Sequence, residues 1–406
     1  MPQTSTGPVR ILYVECSLDG TVGGSHISLL YLVAGMKKLG YEPVVVFRSP
    51  HSLLSRFDEL GIAIHILPGR KHWKSDNLLL APFVRIMNSF VSRLTNAVAF
   101  TRFFSLLGKE RITLVHMNNS VFDSAFGWLL AAKLRGIPCV AHERGLPADC
   151  HPLIGLAVRH FAAIICISEA VRRSMLALNL GRLKLVTIHN GIDVAQSQAT
   201  RTATEIREEF GIAPSRPIVG IVGNIQPWKG QDVVIRAVAL ARKEVPDIVC
   251  LIVGDVSKLF QADVTYLESL QRLIADEKLD GHVIMTGYRR DVASYMNAMD
   301  VVIHSSIHPE PFGRVLLEAM SVRKPLVAAA AGGVPEIVVD GTTGFLFKPG
   351  NSIELAARLC DLLGDVGKRR LMGNNGYDRV VSEFNTNKTT EAVSEVYRSV
   401  LTRRAQ

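Results

Sequence analysis

Short apolar strands and helices alternate along this chain from end to end, and that alternation is interrupted once. Residues 9–17 read as a strand, 26–39 as a helix ended by Gly40, 43–47 as a strand, 53–60 as a helix and 62–67 as a strand. A long basic and aromatic stretch follows. Beyond it come a strand at 114–117, a helix at 124–135, a strand at 139–142, an apolar segment at 154–161, a strand at 163–167, a helix at 169–178 and a strand at 184–188. From 218 the pattern restarts, with strands at 218–222, 248–254, 283–286, 301–304 and 326–329 and helices at 231–243, 266–277, 292–299 and 314–322. Strands this short and this rich in Val, Ile and Ala describe a parallel sheet covered on both faces. Residues 193–217, with QSQATRTATE, a short helical stretch and Pro214, read as a linker between domains.

At 406 residues the chain is too long for one ordinary core and suits two of roughly 200 residues each. The expected fold is α/β, with two doubly wound Rossmann-like domains facing a central cleft. Residues 1–195 form the first domain, 196–385 the second, and 386–406 a terminal helical segment. Doubly wound sheets bind ligands at the carboxyl ends of their strands, and the chemistry-bearing residues fall there.

Hydrophobic content of 48% describes a packed globular protein. The six cysteines are scattered without a C-x-x-C pair, so buried reduced thiols are expected. No charged segment precedes a long apolar run at the N-terminus, which points to the cytoplasmic side. The net charge of +9 calls for an anionic partner. Nucleic acid is the weakest of these, for there is no zinc knuckle, no aromatic RNP-like strand and no basic recognition helix. Residues 72–108 mix Trp73, Phe83, Phe90, Phe100, Phe103 and Phe104 with Lys74, Arg85, Arg93 and Arg102. Two readings stay open: a peripheral helix on the anionic inner face of a membrane, or a core-facing helix with a basic wet side.

Residues 308–335, HPEPFGRVLLEAMSVRKPLVAAAAGGVP, carry the densest chemical signal. Pro309 and Pro311 fix the backbone around Glu310, so its carboxylate sits on a rigid loop. The amides of Gly313, Arg314, Val315 and Leu316 open an apolar helix, and a helix N-terminus attracts an anion such as a diphosphate. Glu318 follows on that helix, and Gly332 and Gly333 make a turn after the next strand. Lys229 precedes another helix start, where a phosphate would meet both an ammonium and backbone amides, and Gly230 lets the backbone approach closely. A ligand with hydroxyls and phosphate, such as a sugar nucleotide, fits this set.

Glu310 and Glu318 have seven residues between them, the spacing of the E-x7-E motif of retaining glycosyltransferases. The surrounding residues resemble family 4 of that class, which has the GT-B fold. Upstream, Gly223, Asn224, Lys229 and Gly230 sit in GNIQPWKG, which is similar to the family's G-R-x-x-x-x-K-G segment. Gly23 and Gly24, and the run Asn190, Gly191, Ile192 and Asp193, match in kind and order. The resemblance covers about residues 9–384.

The resemblance implies roles for single residues. Lys229 would stabilise the leaving diphosphate without a metal, Glu310 would face the donor sugar's hydroxyls and Glu318 would accept from the ribose. Gly23 and Gly24 would approach the phosphate or sugar, Phe312 would line the donor site, and Tyr288 and Arg289 would stack on the base. His142 would contact the donor sugar near the reacting centre, with His116 as its competitor, while Glu143 and Arg144 would meet the acceptor. Asn224 departs from the family's arginine, and Arg289, Arg290 and Arg314 are the candidates for the missing charge. The implied reaction is front-face transfer, with retention, from a UDP-, GDP- or ADP-sugar to a glycan or lipid-linked glycan. No metal or other cofactor is expected, and the last helix should return to the first domain. The alternatives are an epimerase or a pyridoxal-dependent phosphorylase of the same fold, and a non-catalytic partner that binds sugar nucleotide or membrane.

Overall fold

The structure is a computed structural model and describes residues 8–15, 22–67, 98–122, 125–256 and 261–403. It divides into two compact units, Met1–His189 with Thr386–Gln406, and Asn190–Asn385.

In the first unit, β1 (Arg10–Val14), β2 (Glu42–Phe47), β3 (Ala63–Ile66), β4 (Leu114–Met117), β5 (Cys139–Glu143), β6 (Ala163–Cys166) and β7 (Leu185–Thr187) form one parallel sheet in the order β3-β2-β1-β4-β5-β6-β7. Parallel neighbours need crossovers, and helices supply them: α1 (Gly24–Lys38), α2 (Leu54–Glu59), α3 (98–109), α4 (Ala125–Leu134), α5 (Pro152–Val158) and α6 (Glu169–Ala177). Every residue of β4, β5 and β6 is buried, as continuous apolar strands covered on both faces require. The strand order reverses between β1 and β4, a topological switch point.

The second unit begins with α7 (Ala203–Glu209) and continues through β8 (Ile218–Val222), α8 (Gln231–Ala241), β9 (Val249–Val253), α9 (Gln261–Asp276), β10 (Val283–Gly287), α10 (Val292–Ala298) and β11 (Val301–His304). It closes with α11 (Arg314–Ser321), β12 (Leu326–Ala329), α12 (Val334–Ile337), β13 (Gly344–Phe347), α13 (Ser352–Gly364) and α14 (Val366–Glu383). Its parallel sheet runs β10-β9-β8-β11-β12-β13 and switches direction between β8 and β11. Ile221, Cys250, Ile303 and Val327 of the sheet pack with Val234 and Val238 of α8 and Leu355 and Leu359 of α13.

The short helical stretch expected within residues 193–217 is α7. Thr202 and Glu205 cap each other's backbone at the start of α7, Ile206 is buried, and the amides of Thr200 and Arg201 donate to Ser294 Oγ. The polar residues there serve as caps and anchors. Residues 330–387, unassigned by strand and helix periodicity, hold α12, β13, α13 and α14.

The last helix, α15 (Thr386–Thr402), belongs to the first unit. Its Val393, Val396, Tyr397 and Val400 enter the core formed by Leu29, Leu32, Val33 and Met36 of α1 with Ile11 and Tyr13 of β1.

Within 72–108, residues 72–97 lie outside the described residues, and with them Trp73, Phe83 and Phe90. In α3, Phe103 is buried edge-on against Trp128 at 4.2 Å, and Phe104 carries the Arg135 guanidinium 4.0 Å above its ring. That part of the segment faces the core. No helix among the described residues is long and apolar enough to cross a membrane.

Candidate active site

The second unit's chemistry gathers at the carboxyl ends of β8 and β11, its switch point. The loops after these strands are stapled together. Ser305 Oγ donates to the carbonyls of Lys229 and Gly230 at 2.9 and 3.0 Å, and the Ile307 amide donates to the Trp228 carbonyl at 2.9 Å. Gly230 has φ +69°, and a Cβ there would lie 2.3 Å from the Ser305 carbonyl oxygen, so only glycine permits this approach.

The staple brings Lys229 Nζ to 2.7 Å from Glu310 Oε2, with the ammonium 3.9 Å over the Trp228 ring. His304 Nε2 and Ser306 Oγ lie 3.4 and 3.3 Å from the same oxygen. The Glu310 backbone is pinned independently, because its carbonyl accepts from the Gly333 amide at 2.8 Å. Gly332 sits so close that a Cβ would meet that carbonyl oxygen at 2.1 Å. Burial pushes the Glu310 carboxyl up, but the His304 hydrogen bond and the Lys229 charge outweigh it and hold the group at about 2. At neutral pH Glu310 is therefore an ionised acceptor.

That depression makes a pH prediction. Its ionised state stabilises the fold fully above pH 4.5, and the contribution is lost as pH falls through about 2. Chemical denaturation of wild type and Glu310→Gln should show a stability gap that is constant above pH 4.5 and closes toward pH 2. A gap independent of pH across that window would refute the assignment.

Around this pair, Gly313 caps α11 with φ +95°, and the Arg314 guanidinium donates to Glu318 at 2.8 Å one turn along. Phe312 is buried against Phe384, Leu316 is buried and Val315 is half-buried. The Asn224 carbonyl accepts from Gln231 Nε2 at 2.9 Å, which ties the loop to the start of α8. Tyr288 is 69% exposed. Arg289 is held by Glu209 at 3.1 Å and lies over the Phe210 and Tyr295 rings. Arg290 is exposed. Of the three candidates for the missing charge, two are thus engaged by carboxylates.

The first unit holds the remaining predicted residues, at the ends of β4 and β5 and at the start of α1. His142 is 1% exposed, and neither ring nitrogen has a hydrogen-bond partner among the described residues. Burial, then the Arg144 charge and His116, hold its pKa well below the ordinary range. His116 packs beside it at 5.4 Å and is bonded through Nδ1 to Tyr397 of α15 at 2.6 Å. Burial and Arg144 push it down to about 3. Both rings are neutral at physiological pH. Glu143 is buried and accepts from the Val121 and Gly145 amides at 2.9 Å, so its carboxylate organises the surrounding loops. Arg144 donates to the Asn118 carbonyl at 2.7 Å. Gly23 caps α1, its amide donating to His26 Nδ1 at 3.3 Å, and Gly24 is the first helical residue.

Several groups escaped the sequence reading. His304 and Ser306 join the Glu310 carboxylate, and a rule that flagged His142 and His116 as strand-end histidines would have flagged His304 equally. Buried Glu15, bonded to Asn118 Nδ2 at 2.6 Å, has no local signal in an apolar strand.

Comparison with known proteins fits both units. The Glycosyltransferase Family 4 description matches residues 22–196 and the glycosyl transferases group 1 description matches residues 202–379. D-inositol 3-phosphate glycosyltransferase of Corynebacterium kroppenstedtii is 28% identical over 94% of this chain and 86% of its own length. Alpha-maltose-1-phosphate synthase of Mycolicibacterium smegmatis is 30% identical over 72% and 80%. Other relatives match over less of their length; the chain spans 49% of trehalose synthase of Thermococcus litoralis, at 31% identity. Among solved structures, HepE of Anabaena in complex with UDP-glucose aligns with a TM-score of 0.78 and 25% identity, covering 96% of this chain and 99% of that one. With family descriptions matching both halves, a 30% identical relative spanned over most of its length and the two parallel sheets of a GT-B enzyme, the chain belongs to glycosyltransferase family 4.

Proposed function

We propose that this glycosyltransferase moves a sugar, with retention and without a metal, from a nucleoside-diphosphate sugar to a hydroxyl of a glycan or lipid-linked glycan. The observation that carries the reading is the convergence of Lys229, Glu310 and the α11 N-terminus at the switch point of the second unit. A cation beside open helix amides suits the diphosphate, and an ionised carboxylate suits sugar hydroxyls. The solved relative complexed with UDP-glucose supports a sugar nucleotide of this kind.

In the step itself, the bond from the anomeric carbon to the diphosphate oxygen breaks and its electron pair stays on the diphosphate. The acceptor oxygen bonds to that carbon from the same face, and its proton passes to the departing phosphate oxygen. Lys229 stabilises the charge that develops on the leaving group. Glu310, ionised and already accepting from its neighbours, binds hydroxyls and does not serve as a proton donor. Among the described residues no group of three or more His, Cys, Asp or Glu is placed to hold a metal ion. His142 is neutral, and among the described residues its ring nitrogens have no hydrogen-bond partner, so it is a hydrogen-bonding group available within the first unit.

A donor screen tests this. Purified protein incubated with UDP-, GDP- and ADP-sugars should release the free nucleoside diphosphate slowly from one of them, and Glu310→Ala should abolish the release. Neither release nor calorimetric binding of any donor would overturn the reading.

A further inference from the structure

We infer that His304 is a positioning residue for the donor sugar, keeping Glu310 in place when Lys229 turns to the diphosphate. This deepens the proposed function and rests on it.

Lys229, Ser306 and His304 all approach Glu310 Oε2, and among the described residues Oε1 receives none of these groups. One oxygen is the anchor and the other is left to accept a sugar hydroxyl. The three anchoring groups differ in what a donor does to them. A diphosphate at the α8 and α11 starts draws the Lys229 ammonium, whose present partners are Glu310 and the Trp228 face.

A carboxylate only 13% exposed would then lose its cation, and a buried charge without partners is strongly disfavoured. His304 and Ser306 remain. His304 ends β11, is 4% exposed and cannot swing away. A carboxylate only accepts, so His304 Nε2 carries the proton and donates to Oε2. Its Nδ1 is buried without a hydrogen-bond partner among the described residues. Among the described residues the ring's polar contacts are thus at the Nε2 edge, toward Glu310 and Ser306.

The test separates sugar recognition from diphosphate recognition. Wild type, His304→Ala and His304→Gln are titrated calorimetrically with UDP-glucose, GDP-mannose and ADP-glucose and with UDP, GDP and ADP. Thermal melts establish folding. For the donor that binds, His304→Ala should weaken the sugar nucleotide about tenfold to a hundredfold, the effect of losing a hydrogen bond to a charged group. The parent nucleoside diphosphate should shift less than about twofold, since Glu310 faces the sugar. His304→Gln, which restores an N–H near the Nε2 position, should recover most of the loss. Ser306→Ala, which removes the smaller donor, should show the same split more weakly and serves if His304→Ala does not fold. A parallel loss for sugar nucleotide and nucleotide, or a glutamine variant no better than alanine, overturns the inference. Wild-type protein that binds none of these ligands overturns the donor reading beneath it.

Discussion

Lys229→Ala should lower transfer by a factor of about 10²–10³, the cost of removing one preorganised group that stabilises charge in the transition state. The expectation comes from position. Lys229 is the last residue of a tight turn, and its carbonyl accepts from Ser305 Oγ while that of Trp228 accepts from the Ile307 amide, so its ammonium is delivered from a fixed backbone. The variant has a second consequence, because Glu310 loses its cation and becomes a poorly paired buried charge. A melting curve should therefore fall together with activity. Lys229→Ala/Glu310→Gln removes the stranded charge and should regain stability without regaining transfer. Kinetics on wild type and both variants, with a melt on each, separate the two effects. Full activity in Lys229→Ala would remove this lysine from the chemistry.

Truncation after Asn385 should unfold the first unit. Val393, Val396, Tyr397 and Val400 of α15 are all buried against α1 and β1. At about 1.5–3 kcal/mol for each buried side chain, their removal withdraws about 6–12 kcal/mol, comparable to the whole stability of a typical domain. The milder Tyr397→Ala should cost about 3–5 kcal/mol and also releases the His116 hydrogen bond. Denaturant titration followed by circular dichroism checks both. A truncated chain with an intact cooperative transition for both units would contradict the assignment.

How much of this was legible beforehand depends on the range of the interaction. Strands 218–222, 301–304 and 326–329 could be read residue by residue, because a doubly covered parallel strand is a continuous apolar run between turn residues. The rigid setting of Glu310 was legible from Pro309 and Pro311, and the open amides of α11 from Gly313. The Glu310–Lys229 pair joins residues 81 positions apart, and no local pattern announces it. The same is true of His304, whose strand-end position was visible while its target was not.

By itself, the sequence determined the class of fold and the two-part organisation, because these follow from periodicity, turn chemistry and residue type, all local properties. Only the tertiary structure decided which groups share one carboxylate oxygen, that Arg289 and Arg314 are tied to glutamates, that Glu143 organises backbone amides and that the last helix completes the first core. The physical reason is the switch in strand order. Where β8 lies beside β11, loops some 80 residues apart in sequence become hydrogen-bonded neighbours, and pairing across that distance is set by the packing of the whole sheet.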